Sequence, residues 1–429
     1  MRSVFILGYG VEGQAASRYF NAHHPEAVVM IIDRQPPETL LAGQSWLSEE
    51  EAVAALTPET QLLRSPGVRP DHPLVEAALA CGAKVTTPTG YWLEHHAPKG
   101  TVTVTGTKGK SSTVALLSFL LEKLGVESLA LGNIGAPPLD AQLPTAAQPV
   151  IELSSYMMHD LPLTGHLHMI TSLYREHIPW HGDEQRYRAA KLRPFLHQPP
   201  APGYAPAAVM AAEGLRAPVQ ALEDVVPLEG EQLAFRKGRL HPAMLNDRFT
   251  SPGELLALRA ACVVALNFTD PEALIEVLRT HLPEYRGLAH RQEEVPTTDG
   301  RLWVNDALAT VPEAVEMALH RWSGRPITLL LGGADRGQDF TKLAEAMARQ
   351  GQVTPILFGS IAPKAAGAFT TAAVPFQQAE DFFDALAQAP DIATRGSVIL
   401  FSPGAASEAP HDNYKERAAL FYQKAGEYT

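Results

Sequence analysis

The chain has 429 residues, 45% of them hydrophobic and 19% charged, which is enough for two to four domains with cores of their own. No run of about 20 apolar residues is present to span a membrane. The net charge of −12 repels nucleic acid as a whole, so an anionic ligand needs local cationic pockets. Cys81 and Cys262 are too few and too far apart for a disulfide framework or a cysteine metal site. The opening MRSVFILGYG passes from an apolar run straight into a glycine turn, without a cleavable signal pattern, so a cytoplasmic protein is expected; a monomer is expected as well.

Residues 4–7 form a β-branched and aromatic run ending at Gly8, followed by a helical pattern over 14–20 and a second strand over 28–32 that ends at Asp33. Strand, glycine turn, helix, strand is the opening of a parallel α/β layer. After Arg64-Ser65-Pro66-Gly67, a helix over 73–80 leads to a strand at 84–87. The polar, proline-bearing stretch 94–99 marks a first boundary. Residues 101–105 alternate as a strand, Gly106 to Ser111 is glycine-rich, and 114–124 is an apolar helix. Strands are expected at 150–151 and 169–173, and the proline-rich stretch 198–206 reads as a loop. From His290 the pattern resets, with strands at 302–304, 327–331, 355–358 and 398–401 alternating with helices.

Gly106-x-x-Gly109-Lys110-Ser111 lies between a strand and a helix, the context a phosphate cradle needs. Glycines let backbone N–H groups close on oxyanions, the helix N-terminus adds positive potential, Lys110 supplies a charge and Ser111 can hold magnesium. The full Walker pattern has four residues between its glycines and this loop has two, so strand and helix context carries the ATP-binding expectation. Gly8-x-Gly10-x-x-Gly13 with Asp33 copies a dinucleotide fingerprint, which alone would favour NAD.

Thr105 to Thr113, reading TGTKGKSST, resembles the GTNGKT or GTNGKS signature of the Mur ligase family. Further blocks follow in the family's order: Gly132-Asn133-Ile134-Gly135, Glu152-Leu153-Ser154-Ser155, and Glu176-His177 through Tyr187 to Ala190-Lys191. Gly287-Leu288-Ala289-His290-Arg291, Asn305-Asp306, Leu331-Gly332-Gly333 and Ser402 to Ser407 complete the series. Their spacing is most similar to that of the members that add D-glutamate to UDP-N-acetylmuramoyl-L-alanine.

The resemblance implies an α/β protein of three domains. These are a Rossmann-like domain over 1–94 for the UDP precursor, a central P-loop ATPase-type domain with a parallel sheet over 95–287, and a Rossmann-like domain over 288–429 that takes the amino acid and closes over ATP. It implies ATP contacts from Gly106, Thr107, Lys108, Gly109, Lys110, Ser111, Ser112, Arg291 and Asp306, and a catalytic set of Lys110, Glu152, His177, Lys191 and Arg291. Two magnesium ions would be held by Ser111, Glu152, His177 and a carbamylated Lys191. The UDP precursor would meet Gly10, Val11, Glu12, Asp33, Arg34, Ser65, Pro66 and Gly67, with Asn133 and Ser154 beside phosphate and substrate. An acidic, glutamate-like amino acid, expected from this resemblance to be D-glutamate, would meet Thr310, Arg336, Ser407 and Tyr414.

Two departures stand out. The D-glutamate members usually read NDSKAT where this chain has Asn305-Asp306-Ala307-Leu308-Ala309-Thr310, so Leu308 replaces a lysine expected to meet the amino acid's carboxylate. Losing such a contact costs on the order of 1.5 to 3 kcal/mol. The GxHNxxN block that normally precedes an alanine-rich helix is also absent from residues 246–257, so adenine must be held differently or nucleotide binding is weaker. A paralogous ligase for another amino acid such as L-glutamate, a folylpolyglutamate-type ligase, a catalytically silent binding protein and an NAD-dependent oxidoreductase are the alternatives to weigh.

Overall fold

The computed structural model describes residues 3–161, 165–197, 199–411 and 413–429. They divide into two compact units, Met1–Pro283 and Glu284–Thr429.

The first unit holds two parallel sheets. In the first, Gln44–Leu47, Val28–Ile32, Ser3–Leu7, Thr60–Arg64 and Lys84–Thr86 lie side by side in that order. The glycine turn after Ser3–Leu7 is sterically dictated: Gly8 has φ +88°, and a Cβ on Gly13 would sit 2.1 Å from the Gly8 carbonyl oxygen. Only glycine lets helix Val11–His23 start so close to the strand.

The second sheet runs Val219–Ala221, Gly203–Ala205, Leu167–Ile170, Val102–Thr105, Gln148–Glu152, Ser128–Gly132, all parallel. Two expectations are corrected here. Gly203–Ala205 is a strand rather than loop, and a Cβ on Gly203 would lie 2.0 Å from the His168 carbonyl oxygen, so the backbones pack too closely for any side chain. Of the expected loop, Gln198 lies outside the described residues. The strand expected over 169–173 is Leu167–Ile170; it ends because the Thr171 and Ser172 hydroxyls turn to the Lys108 carbonyl, at 2.6 and 3.0 Å. Helix Lys110–Lys123 follows the central strand, and the alanine-rich helix Pro252–Ala265 packs along it. A small antiparallel sheet of Leu228–Glu229, Gln232–Phe235 and Gly238–Leu240 comes from a stretch whose sequence had suggested no strand.

The two parallel sheets share one apolar core. Phe20, Ile31, Leu63 and Trp92 from the first pack in the same cluster as Leu131, Ile151, Leu153 and Met157 from the second.

In the second unit the order is Glu293–Val295, Leu302–Asn305, Val398–Phe401, Ile327–Gly332, Val353–Phe358, Gln377–Gln378, with only the first strand antiparallel. Val304, Leu329, Leu331, Leu357 and Leu400 fill one face and Trp303, Leu330, Ile356, Ile399 and Phe401 the other, the two-sided burial that a helix-covered parallel sheet requires.

Candidate active site

A cavity of about 670 Å³ opens where the strand ends of the first unit's two sheets meet. Gly10, Val11, Glu12, Asp33 and the turn Ser65-Pro66-Gly67 line one side, and Gly106, Lys110, Asn133, Ser154, His177 and Lys191 the other. Thirteen sequence-selected residues therefore face one space.

On the first side, the Asp33 carboxylate accepts the backbone N–H of Tyr9 at 2.7 Å and of Arg34 at 2.6 Å, fixing the glycine turn. The Arg34 side chain is exposed and does not line the cavity. Glu12 is buried; its carboxylate accepts the N–H and the hydroxyl of Thr89 at 3.1 and 2.8 Å. Burial raises this carboxyl to about 7 despite those bonds.

On the second side the phosphate loop is held open by its own geometry. Gly106 has φ +146°, and a Cβ there would lie 2.0 Å from the Thr171 hydroxyl; Gly109, at φ +87°, precedes the first helical turn. That turn carries Lys110, Ser111 and Ser112, so its N–H groups and the helix dipole suit an incoming anion. The Lys110 ammonium donates to the carbonyls of Gly106 and Thr107, both at 3.0 Å. The Thr107 hydroxyl lies 2.6 Å from that of Tyr187, and Lys108 pairs with Glu176 at 2.6 Å.

Lys191 is 2% exposed and donates to the Gly106 carbonyl at 2.7 Å. Burial, and next the Lys110 charge, push its amine down to about 7. An amine near that value is substantially neutral at neutral pH, which is the state that reacts with electrophiles.

Glu152 ends the strand Gln148–Glu152 and is also buried. One carboxylate oxygen accepts the Asn133 amide at 2.8 Å, and the other is buried without a hydrogen-bond partner. A buried carboxylate oxygen left unsatisfied is costly, and a hard cation is the ligand that suits it. His177 sits at φ +56°, its Nδ1 3.2 Å from the Tyr156 hydroxyl. Burial lowers its imidazole below the usual value, favouring the neutral, metal-binding form. Among the described residues no three His, Cys, Asp or Glu side chains form a closed cage. Glu152 and His177 thus fit magnesium of the kind that borrows oxygens from water and substrate phosphates. Ser154 caps the helix Ser155–Met158 through the Met157 N–H, at 3.2 Å.

Within the second unit, strand ends bring His290-Arg291, Asp306, Gly332 and Ser402 to Ser407 to one edge of the sheet. The Asp306 carboxylate is buried, accepting the Gln292 N–H at 3.1 Å and the Ser402 hydroxyl at 2.7 Å. Arg291 is half-buried, Thr310 and Arg336 are exposed, and Tyr414 meets the His290 ring edge-on at 5.5 Å. The Ser407 hydroxyl is buried without a partner. Sequence reasoning missed Arg417, which is 1% exposed and ties the Gly332 and Ala405 carbonyls together, at 3.0 and 3.3 Å. Burial lowers its guanidinium to about 10. Arg64, Asp160 and Trp180, which hold the cavity's first wall to its second, were missed as well. The signal available for Arg64 was an arginine closing an otherwise apolar strand immediately before Ser-Pro-Gly.

Comparison with known proteins gives this geometry a context. Residues 104–214 match the Mur ligase middle domain. A UDP-N-acetylmuramoyl-L-alanine–L-glutamate ligase from a Micromonospora species is 34% identical, over 98% of this chain and 95% of the relative. One of the same name from Salinispora tropica is 33% identical, over 98% and 97%. Among solved structures, a UDP-N-acetylmuramate–alanine ligase from Thermotoga maritima superposes with a TM-score of 0.57 at 14% identity over all of both chains, a likeness of fold. With the phosphate loop, the paired lysines and near-complete coverage of these relatives in agreement, the chain belongs to the Mur ligase family of ATP-dependent amide-bond-forming ligases.

Proposed function

We propose that this chain joins L-glutamate to UDP-N-acetylmuramoyl-L-alanine in peptidoglycan precursor synthesis, using ATP to activate the precursor's carboxylate as an acyl phosphate. The observation that carries the reading is a single cavity running from the glycine turn at Gly8–Gly13 to Lys110 and Lys191. One end suits a nucleotide pyrophosphate and the other a reacting carboxylate beside a triphosphate. An NAD reading of the glycine turn is disfavoured because its cavity continues into the phosphate loop. L-glutamate is preferred over the D-enantiomer because Leu308 stands where D-glutamate-adding members carry lysine, and because the relatives matched over nearly their full length are named for L-glutamate.

In this reading residues 1–94 hold the UDP end, 95–287 the ATP, and 288–429 the amino acid, through Thr310, Arg336, Ser407 and Tyr414. Lys110 and the loop's N–H groups grip the triphosphate. Glu152, through its unsatisfied oxygen, and His177 would hold magnesium, which would supply charge stabilisation for phosphoryl transfer when bound. The precursor carboxylate attacks the γ-phosphorus and ADP leaves. The amine of glutamate then adds to the activated carbonyl and phosphate departs, with the amine's proton passing to solvent. Lys191, whose neutral amine would add carbon dioxide and lose a proton to give a carbamate, would supply an anionic oxygen on the metal side. Arg291 and Asp306 are assigned to the nucleotide by resemblance to the family.

The test is phosphate release with UDP-N-acetylmuramoyl-L-alanine, ATP and magnesium, against a panel of amino acids. Turnover with L-glutamate and little with D-glutamate is expected. Preference for the D-enantiomer overturns the stereochemical assignment, and silence with the whole panel overturns the ligase reading in favour of a binding protein.

A further inference from the structure

Arg64 closes the buried strand Thr60–Arg64 and is itself 0% exposed, yet it contacts no ligand-facing group of the phosphate loop. Its guanidinium instead spans the seam between the two sheets of the first unit. Nε and Nη2 both donate to one oxygen of Asp160, at 2.8 and 2.5 Å, and Nη2 also donates to the Tyr156 carbonyl at 3.2 Å. Nη1 gathers the turn that follows, donating to the carbonyls of Ser65, Pro66 and Val68. The ring of Trp180 lies 5.6 Å from the guanidinium carbon, and its N–H donates to the Gly67 carbonyl at 3.1 Å. Trp180 stacks on Tyr156 at 4.3 Å, and the Tyr156 hydroxyl reaches His177 Nδ1. A continuous chain of directed contacts thus runs from the Ser65-Pro66-Gly67 lip to the proposed metal-binding wall.

We propose that Arg64 is a positioning residue that, with Asp160 and Trp180, sets the spacing between the nucleotide-sugar lip and the His177 wall. Five donors in a fixed plane suit this task, because a guanidinium can hold a carboxylate and several carbonyls at once where an ammonium cannot. The consequence is selective: loosening the clamp weakens the molecule that bridges lip and wall, the UDP-linked precursor. It leaves ATP on Lys110 and the loop N–H groups largely unaffected.

The inference rests on the precursor occupying this cavity, so calorimetric binding of UDP-N-acetylmuramoyl-L-alanine to the unaltered protein comes first; no binding there sinks both ideas. Asp160→Asn and Trp180→Phe are then compared for precursor affinity, for KM of precursor and ATP, and for Tm. The precursor's Kd and KM are expected to rise about tenfold in Asp160→Asn and about threefold to fivefold in Trp180→Phe, with the ATP KM within about twofold. Should Asp160→Asn fail to fold with the Arg64 charge left unpaired, Trp180→Phe, which keeps the stacked ring, decides. Precursor affinity unchanged in a folded variant, or an ATP KM rising in step with the precursor's, overturns the proposal while leaving the ligase reading standing.

Discussion

Lowering the pH should unfasten the strand beneath the phosphate loop through one residue, His168. It lies in Leu167–Ile170, next to the strand that delivers Gly106, and is 2% exposed. Its Nδ1 is 2.6 Å from the Thr103 hydroxyl, and its Nε2 is buried without a hydrogen-bond partner. Burial, and then nearby His166, lower the imidazole from 6.5 to about 3. The folded value lies below the unfolded one, so the stability contribution is intact above about pH 6.5 and is lost as pH falls toward 3. Between about pH 7 and 5 the unfolded imidazole goes from about a quarter to nearly fully protonated while the folded one stays neutral, a loss of about 2 kcal/mol when integrated at up to about 1.4 kcal/mol per pH unit. Urea unfolding followed by circular dichroism at pH 7, 6 and 5 measures the slope in the unaltered protein and in His168→Gln. The variant's absolute stability is immaterial, because the prediction concerns the pH dependence, which should be shallower by about 2 kcal/mol over that range. Equal losses in the two proteins would refute the reasoning.

Two further outcomes follow from the buried charges. Glu152→Gln replaces a carboxylate holding one unsatisfied oxygen, so Tm should stay level or rise while ligation falls on the order of a hundredfold and the magnesium requirement increases; a lowered Tm with normal turnover counts against metal binding there. For Lys191, an amine near 7 is about half neutral at pH 7, against roughly one part in three thousand for an ordinary lysine. Labelled bicarbonate should therefore give a carbamate carbon resonance that fades below about pH 6. Its absence at saturating bicarbonate, or its persistence in Lys191→Ala, excludes the modification.

The parts of this molecule that could be read from its sequence are those whose chemistry is local. Gly106, Gly109 and Lys110 sit within one turn, where steric need and charge are written side by side, and that turn lies between strand Val102–Thr105 and helix Lys110–Lys123. Gly8 and Gly13 were legible for the same reason. What escaped depends on partners far away in the chain: Arg64 finds Asp160 across 96 positions, and Arg417 finds the Gly332 carbonyl across 85. No periodicity announces such pairs. Strand Gly203–Ala205 was hidden differently, since three residues among prolines give no alternation to detect. Asn133 was read as a phosphate or substrate contact, and its amide is found steadying Glu152, a role that depends on a strand end brought alongside by the sheet.

The common core beneath the two parallel sheets has a consequence for how such enzymes can be recombined. Phe20 and Trp92 pack in one apolar cluster with Leu131, Ile151 and Met157. A chimera exchanging only the first ninety-odd residues would strip oil from both halves and leave each with an unmatched greasy face. Any graft that alters which nucleotide-sugar is accepted must carry the complementary side chains from Leu131 to Met157, or evolve them anew.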